Sequence, residues 1–259
     1  MRKLLASGVA LTCAVLVAGC GSGSSGGGSG GSGGSGKTLT IFAASSLTES
    51  FQKLEKTFEQ QNPGVDVKFN FGGSSSLVQQ INEAGGADVF ASANEKNMTK
   101  LVKAGNNAGE PALFVTNTLE IAVPPGNPKK ITGFKDLSKA GTTLVVCASE
   151  VPCGSATKKL EKATGVTLKP KSEEQNVKSV LGKVEANEAD AGLVYVTDVT
   201  SANGKVKGIE FPEADKAVNK YPIVATKDAK QPDLAKKWIA LVRGPQGQAV
   251  LKKAGFEIP

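Results

Sequence analysis

From residue 38 the chain alternates between short runs whose apolar residues are contiguous or recur every second position and longer runs where they recur every third or fourth. TLTIFAA, residues 38–44, predicts a strand. The stretch 47–64 places Phe51, Leu54 and Phe58 at helical spacing and stops at Asn62-Pro63-Gly64. VDVKFNF (65–71) has the period of two expected of a strand, 74–86 predicts a short helix, 87–93 a strand, and LEIAVPPG (119–126) a strand ended by paired prolines. The same kind of run then repeats: a helix over 134–141, a strand over 142–149, helices over 155–165 and 177–189, and a strand over 190–198. YPIVATK (221–227) is a further strand, and 233–256 predicts two closing helices.

This alternation predicts an α/β fold with largely parallel sheets. Two α/β units follow one another, a strand near residue 119 leaves the first, and a strand near residue 221 is placed to return to it. The expectation is therefore two lobes joined by two crossovers, residues 37–118 completed by 222–259 and residues 119–221, with a ligand cleft between them.

The N-terminus is of another kind. Arg2 and Lys3 precede an apolar run from Leu4 to Val17 that is short for a membrane span, which predicts an export signal. Its closing LVAGC resembles the lipobox of bacterial lipoproteins, so residues 1–20 are expected to end in a lipid-bearing Cys20 that holds the chain on the outer face of the cytoplasmic membrane. Residues 21–36 are only Gly and Ser and predict a flexible tether. Of the four cysteines, Cys13 leaves with the signal and Cys20 carries lipid, which leaves Cys147 and Cys153. Two thiols in an oxidising compartment suggest a disulfide, with two free buried thiols as the alternative.

Composition narrows the function. The formal charge is +7, but the lysines are spread along the chain and aromatic residues make up only 5%, so a nucleic-acid groove is not expected. There is no histidine, and residues 37–259 contain neither G-x-S-x-G nor a P-loop, which argues against a hydrolytic triad, a zinc site or nucleotide binding. An exported enzyme on the same fold is the weaker alternative.

Four predicted helix starts carry small polar entries. In FAASSLTESF, Ser46 and Glu49 have capping-box spacing, Ser46 as N-cap and Glu49 at N3. FGGSSSLVQQI places Ser74, Ser75 and Ser76 after two glycines, VPCGSATKK opens a helix after a strand, and EEQNVKSVL offers Asn176 as a cap. Serine is a good cap in its own right. A helix mouth also carries backbone N–H groups without intrahelical partners and the positive end of the dipole, so four of them together point to an oxyanion site without charged side chains.

Those motifs, together with GADVFASANEKNM, AGLVYVTD and the terminal GPQGQAVLKKAGF, resemble the periplasmic molybdate-binding proteins of ABC transporters, in order and over nearly all of residues 38–259. The resemblance implies the two-lobed type II periplasmic-binding fold, molybdate or tungstate as ligand, no further cofactor, and a membrane permease with its ATPase as partners of a monomeric binding protein. It implies hydroxyl and backbone N–H donation by Ser46 and Ser74, backbone N–H donation by Cys153 and Val177, and phenol donation by Tyr195. The family usually has a small residue such as Ala at the place of Cys153. Another tetrahedral oxyanion such as sulfate is the alternative ligand. Asp88 would repel a dianion and is expected to be structural.

Overall fold

The computed structural model describes residues 36–259. The expected export signal, the lipidated Cys20 and the tether up to residue 35 lie outside the described residues.

The chain begins with β1 (Lys37–Ala44), a 3-10 turn (Ser45–Leu47), α1 (Thr48–Gln61), β2 (Val65–Gly72), α2 (Ser74–Ala84), β3 (Val89–Ala91), α3 (Glu95–Lys103) and β4 (Asn107–Asn117). It crosses directly into β5 (Leu119–Val123), followed by β6 (Leu144–Cys147), α4 (Pro152–Thr164), β7 (Ser172–Glu174), α5 (Val177–Glu185), β8 (Ala191–Tyr195), α6 (Val196–Ser201) and β9 (Lys207–Ile209). β10 (Asn219–Thr226), α7 (Pro232–Arg243) and α8 (Pro245–Lys253) close the chain.

Two five-stranded sheets result, ordered β2-β1-β3-β10-β4 and β7-β6-β8-β5-β9. They are less parallel than the alternation suggested. β1 is parallel to β2 and β3, and β6 to β7 and β8, but β10 and β5 run antiparallel to both of their neighbours. These two strands flank the crossovers, entering a sheet from the other lobe rather than from a βα unit of their own, so nothing fixes them parallel.

Helices cover both faces of the first sheet, which is why β1 reads as an unbroken apolar run. Leu39, Ile41 and Ala43 face a core shared with α1 and α7, where Trp238 meets Phe51 and Phe58 edge-on at 5.4 Å. Phe42 faces the opposite core with Leu77, Val78 and Met98. A separate core fills the second lobe, around Ile121, Val145, Leu193 and Phe134. The predicted helix at 134–141 is only a 3-10 turn, Phe134–Ser138, that docks Phe134 and Leu137.

Candidate functional site

The first lobe contributes two chain entries to the cleft. The capping box expected at Ser46 does not form, because the 3-10 turn occupies residues 45–47 and α1 starts at Thr48 with Leu47 in the cap position and no side-chain cap. Ser46 instead pairs its Oγ with Tyr221 Oη at 2.9 Å. At the second entry α2 begins at Ser74, capped by Gly73, and Ser74 Oγ accepts the Ala93 N–H at 2.9 Å.

The second lobe contributes three. α4 starts at Pro152, which puts Cys153 in its first turn, and Cys153 is joined to Cys147 at the end of β6 by a disulfide with a Cα–Cα distance of 5.6 Å. Gly154 permits this close return of the chain, since a Cβ there would stand 2.0 Å from the Ala148 carbonyl oxygen. At α5, Asn176 is the cap, its Oδ1 accepting the Ser179 N–H at 2.9 Å, and Val177 is the first helical residue. Tyr195 ends β8, and its Oη accepts from the Asn219 side-chain amide at 3.0 Å.

The fold brings all five sequence-identified residues, Ser46, Ser74, Cys153, Val177 and Tyr195, onto one small cavity of about 10 Å³ between the lobes, with Ala44, Ser45, Gly72, Gly73, Ala93, Val151 and Pro152. No charged side chain lines it. The larger cleft of about 530 Å³ bordered by Gln79, Glu83 and Lys100 is lined mostly by polar and charged side chains and includes none of the five.

The hydrogen bonds within the wall set its polarity. Ser74 Oγ accepts the Ala93 N–H, which leaves the hydroxyl its own proton to give, and Tyr195 Oη accepts from Asn219 beside the Tyr221 hydroxyl. First-turn N–H groups of α2, α4 and α5 lack intrahelical partners and add to the donor set. Burial, then the neighbouring Tyr221 and Asp198, hold the Tyr195 phenol well above its ordinary value, and burial also raises Tyr221, so both stay protonated donors at neutral pH.

Charges nearby are engaged with one another. Lys178, directly after Val177, bonds Glu49 of the other lobe at 2.7 Å, lies 3.2 Å from the fully buried Asp198, and donates to Ser201 Oγ at 2.9 Å. Burial raises the Asp198 carboxyl to about 6, against the pull of Lys178. Asp88 is structural, its two oxygens accepting the N–H groups of Thr40 and Gln231. Sequence reasoning marked Gly72 and Gly73 for close backbone approach but did not single out Asn219, Tyr221 or Lys178. The signal of those three is spatial, in contacts between distant segments, while the close approach at Gly73 is made to the opposite lobe, where a Cβ would stand 2.1 Å from the Gln175 carbonyl oxygen.

A cavity walled by two α/β lobes and lined by uncharged donors defines a two-lobed binding protein. The chain belongs to the bacterial extracellular solute-binding protein family, whose sequence profile matches residues 39–257. It is 46% identical over 252 residues to the molybdate-binding protein ModA of Mycobacterium tuberculosis, covering 96% of this chain and 97% of that one. It is 32% identical over 231 residues to the molybdate-binding protein ModA of Escherichia coli, covering 85% and 89%. The sequence resemblance to molybdate-binding proteins is thus borne out. Among solved structures, the periplasmic molybdate-binding protein of Azotobacter vinelandii matches with a TM-score of 0.75 at 22% identity over 85% of this chain and 99% of that one. The sulfate-binding protein SubI of Mycobacterium tuberculosis matches with a TM-score of 0.76 at 17% identity over 86% and 87%. These two structural likenesses speak to the fold alone, and they bear out the two-lobed α/β architecture.

Proposed function

We propose that the chain is the extracytoplasmic binding component of an ABC importer, that it captures molybdate and tungstate, and that Ser46, Ser74, Cys153, Val177 and Tyr195 hold the anion. The observation that carries this reading is the convergence of neutral donors from both lobes on one small cavity with no charged lining. Relatives named as molybdate-binding proteins, at 46% and 32% identity, support the choice of ligand.

A buried dianion is stable only if nearly every oxygen is hydrogen-bonded. Ser46 and Ser74 supply one half of the donors, and Tyr195 with the N–H groups of Cys153 and Val177 supplies the other. Neither lobe suffices alone, so binding is coupled to closure. The same wall selects. Hydrogen phosphate carries a proton that needs an acceptor, and no carboxylate is offered; sulfate needs no acceptor but is smaller and leaves donors too distant. No catalytic step follows from this set, and the bound anion passes unchanged to the permease and its ATPase.

Calorimetry with molybdate, tungstate, sulfate and phosphate tests the reading. Saturable heat with the first two, sulfate at least a hundredfold weaker and phosphate silent are expected; no heat with molybdate or tungstate overturns it. Tighter binding of sulfate would establish the second reading, which draws support from a sulfate-binding protein of Synechococcus elongatus that is 24% identical over 98% of this chain and 82% of that one. Anchoring through Cys20 is part of the proposal. Cys20→Ala should release the protein into the medium and abolish labelling by tritiated palmitate, and a labelled variant would refute it.

A further inference from the structure

On the side of the crossovers the two lobes border a second cleft, of about 560 Å³, whose character is opposite to that of the anion cavity. Glu120, Glu210, Asp215 and Glu257 line it, and no lysine or arginine does, on a chain whose formal charge is +7. Glu210, Asp215 and Glu257 are exposed at its rim. Glu120 is not: it sits in β5, an interior strand paired on both sides with β8 and β9, and only 8% of its surface is accessible.

Among the described residues the Glu120 carboxylate has no hydrogen bond and no ion pair. A carboxylate this far buried and facing the cleft without a protein partner is costly, and a cation in the cleft would relieve that cost. The backbone around it is shaped to keep it: a Cβ on Gly208 would stand 1.9 Å from Glu120 Oε1 and 2.6 Å from Cδ, so the neighbouring strand carries a glycine where the carboxylate needs room. Burial, and after it Glu210, raise this carboxyl to about 7, as expected of an acid whose counter-charge is missing.

We propose that this cleft binds a guanidinium or ammonium group seated on Glu120. No cluster of three or more metal-ligating side chains occurs among the described residues, which disfavours a bare metal ion. A cleft of this size, with Leu119, Val196 and Pro212 between the carboxylates, suits an organic cation with an apolar stem. Surrounding carboxylates concentrate cations at the opening. Glu257 belongs to the first lobe, where its backbone pairs with Thr116, whereas Glu120 and Glu210 belong to the second. A cation held here spans the crossover at Thr118.

The chemistry is shared by a free polyamine and by a basic side chain of a partner protein. An NMR titration of the full chain with arginine amide, the tripeptide amide Gly-Arg-Gly, spermidine and calcium tests it. Saturable shifts confined to residues 118–121 and 209–215 are expected with the organic cations. Glu120→Gln should weaken them at least tenfold, and Glu210→Gln, at the exposed rim, about threefold, with molybdate calorimetry run in parallel as an independent readout. Tighter binding of the arginine peptide identifies a protein side chain as the source, and tighter binding of spermidine a free polyamine. Shifts that fail to saturate, that persist in Glu120→Gln, or that calcium produces more strongly overturn the proposal, whatever the molybdate titration gives.

Discussion

Replacing Gly73 by alanine isolates lobe closure from the integrity of either lobe. Its φ of −67° and ψ of 132° are open to any residue, so alanine costs the first lobe no backbone strain. The new methyl collides with the opposite lobe instead: its nearest neighbour is the Gln175 carbonyl oxygen at 2.1 Å, where ordinary contact begins at 3.4 Å. Restoring contact distance requires the lobes to part by about 1 Å at this edge, which stretches hydrogen bonds from about 2.9 Å to beyond their useful range. The second-lobe neighbours of this methyl are Gln175 and Val151, two residues before Val177 and Cys153, and losing the two bonds those residues would give a charged ligand, at about 1.5–3 kcal/mol each, weakens binding by roughly a hundredfold to ten-thousandfold. Calorimetry with molybdate measures the loss, and a thermal melt without ligand should move by less than about 2 °C. Affinity within threefold of wild type would refute the reasoning, and a large fall in the ligand-free melting temperature would show that Gly73 serves the first lobe itself.

Tyr195→Phe removes one donor and leaves one of the two Asn219 amide protons without an acceptor, the other staying on the Ala93 carbonyl, so affinity should fall about tenfold to a hundredfold, with calorimetry as the check. Lys178→Met strands the buried Asp198 and should lower stability by about 3 kcal/mol in a denaturant melt, whereas Glu49→Gln, on the more exposed side of the same trio, should cost under about 1 kcal/mol yet speed ligand release in stopped flow. The folded-state values of Asp198 and Glu120, about 6 and about 7, lie above the ordinary carboxylate range. The folded chain therefore binds more protons, and stability should fall as pH rises from about 4 to 7 and level off above; Glu120→Gln should flatten that slope, and an unchanged slope would contradict the assignment. Reducing the Cys147–Cys153 bond should cost about 2 kcal/mol of stability and also weaken anion binding, because Cys153 belongs to the cavity wall; a calorimetric titration in reductant distinguishes the two effects.

What was legible in the sequence follows from the range of the forces involved. β1 announced itself because both of its faces are buried, and α1 because Phe51, Leu54 and Phe58 recur on one face. β4 did not, for it carries Pro111 and a polar first half; a proline is tolerated there because β4 is an edge strand. The Ser-x-x-Glu spacing at residue 46 was a sound local signal overruled by tertiary structure. Ser46 turns to Tyr221, 175 residues away, and Glu49 to Lys178, 129 residues away. No local pattern encodes such pairs. The serines and Asn176 could be read because helix entry is local chemistry, whereas Asn219, which orients Tyr195 and also bonds the Ala93 carbonyl, is visible only once the strands have been laid side by side.

The same contrast explains why a cation stands beside the cavity without entering it. An ammonium attracts any anion, because Coulomb attraction has no direction, and would admit sulfate, phosphate and carboxylates alike. Hydroxyl and amide donors reward only oxygens placed where they point. Lys178 follows Val177 immediately, so the chain must keep its charge from the wall, and it does so by engaging the ammonium with Asp198 on its own lobe and Glu49 on the other. The Glu49 contact crosses between the lobes, so it forms only as they close. On the proposed reading, closure completes the ring of neutral donors and, in the same movement, ties back the Lys178 ammonium that would blunt their discrimination.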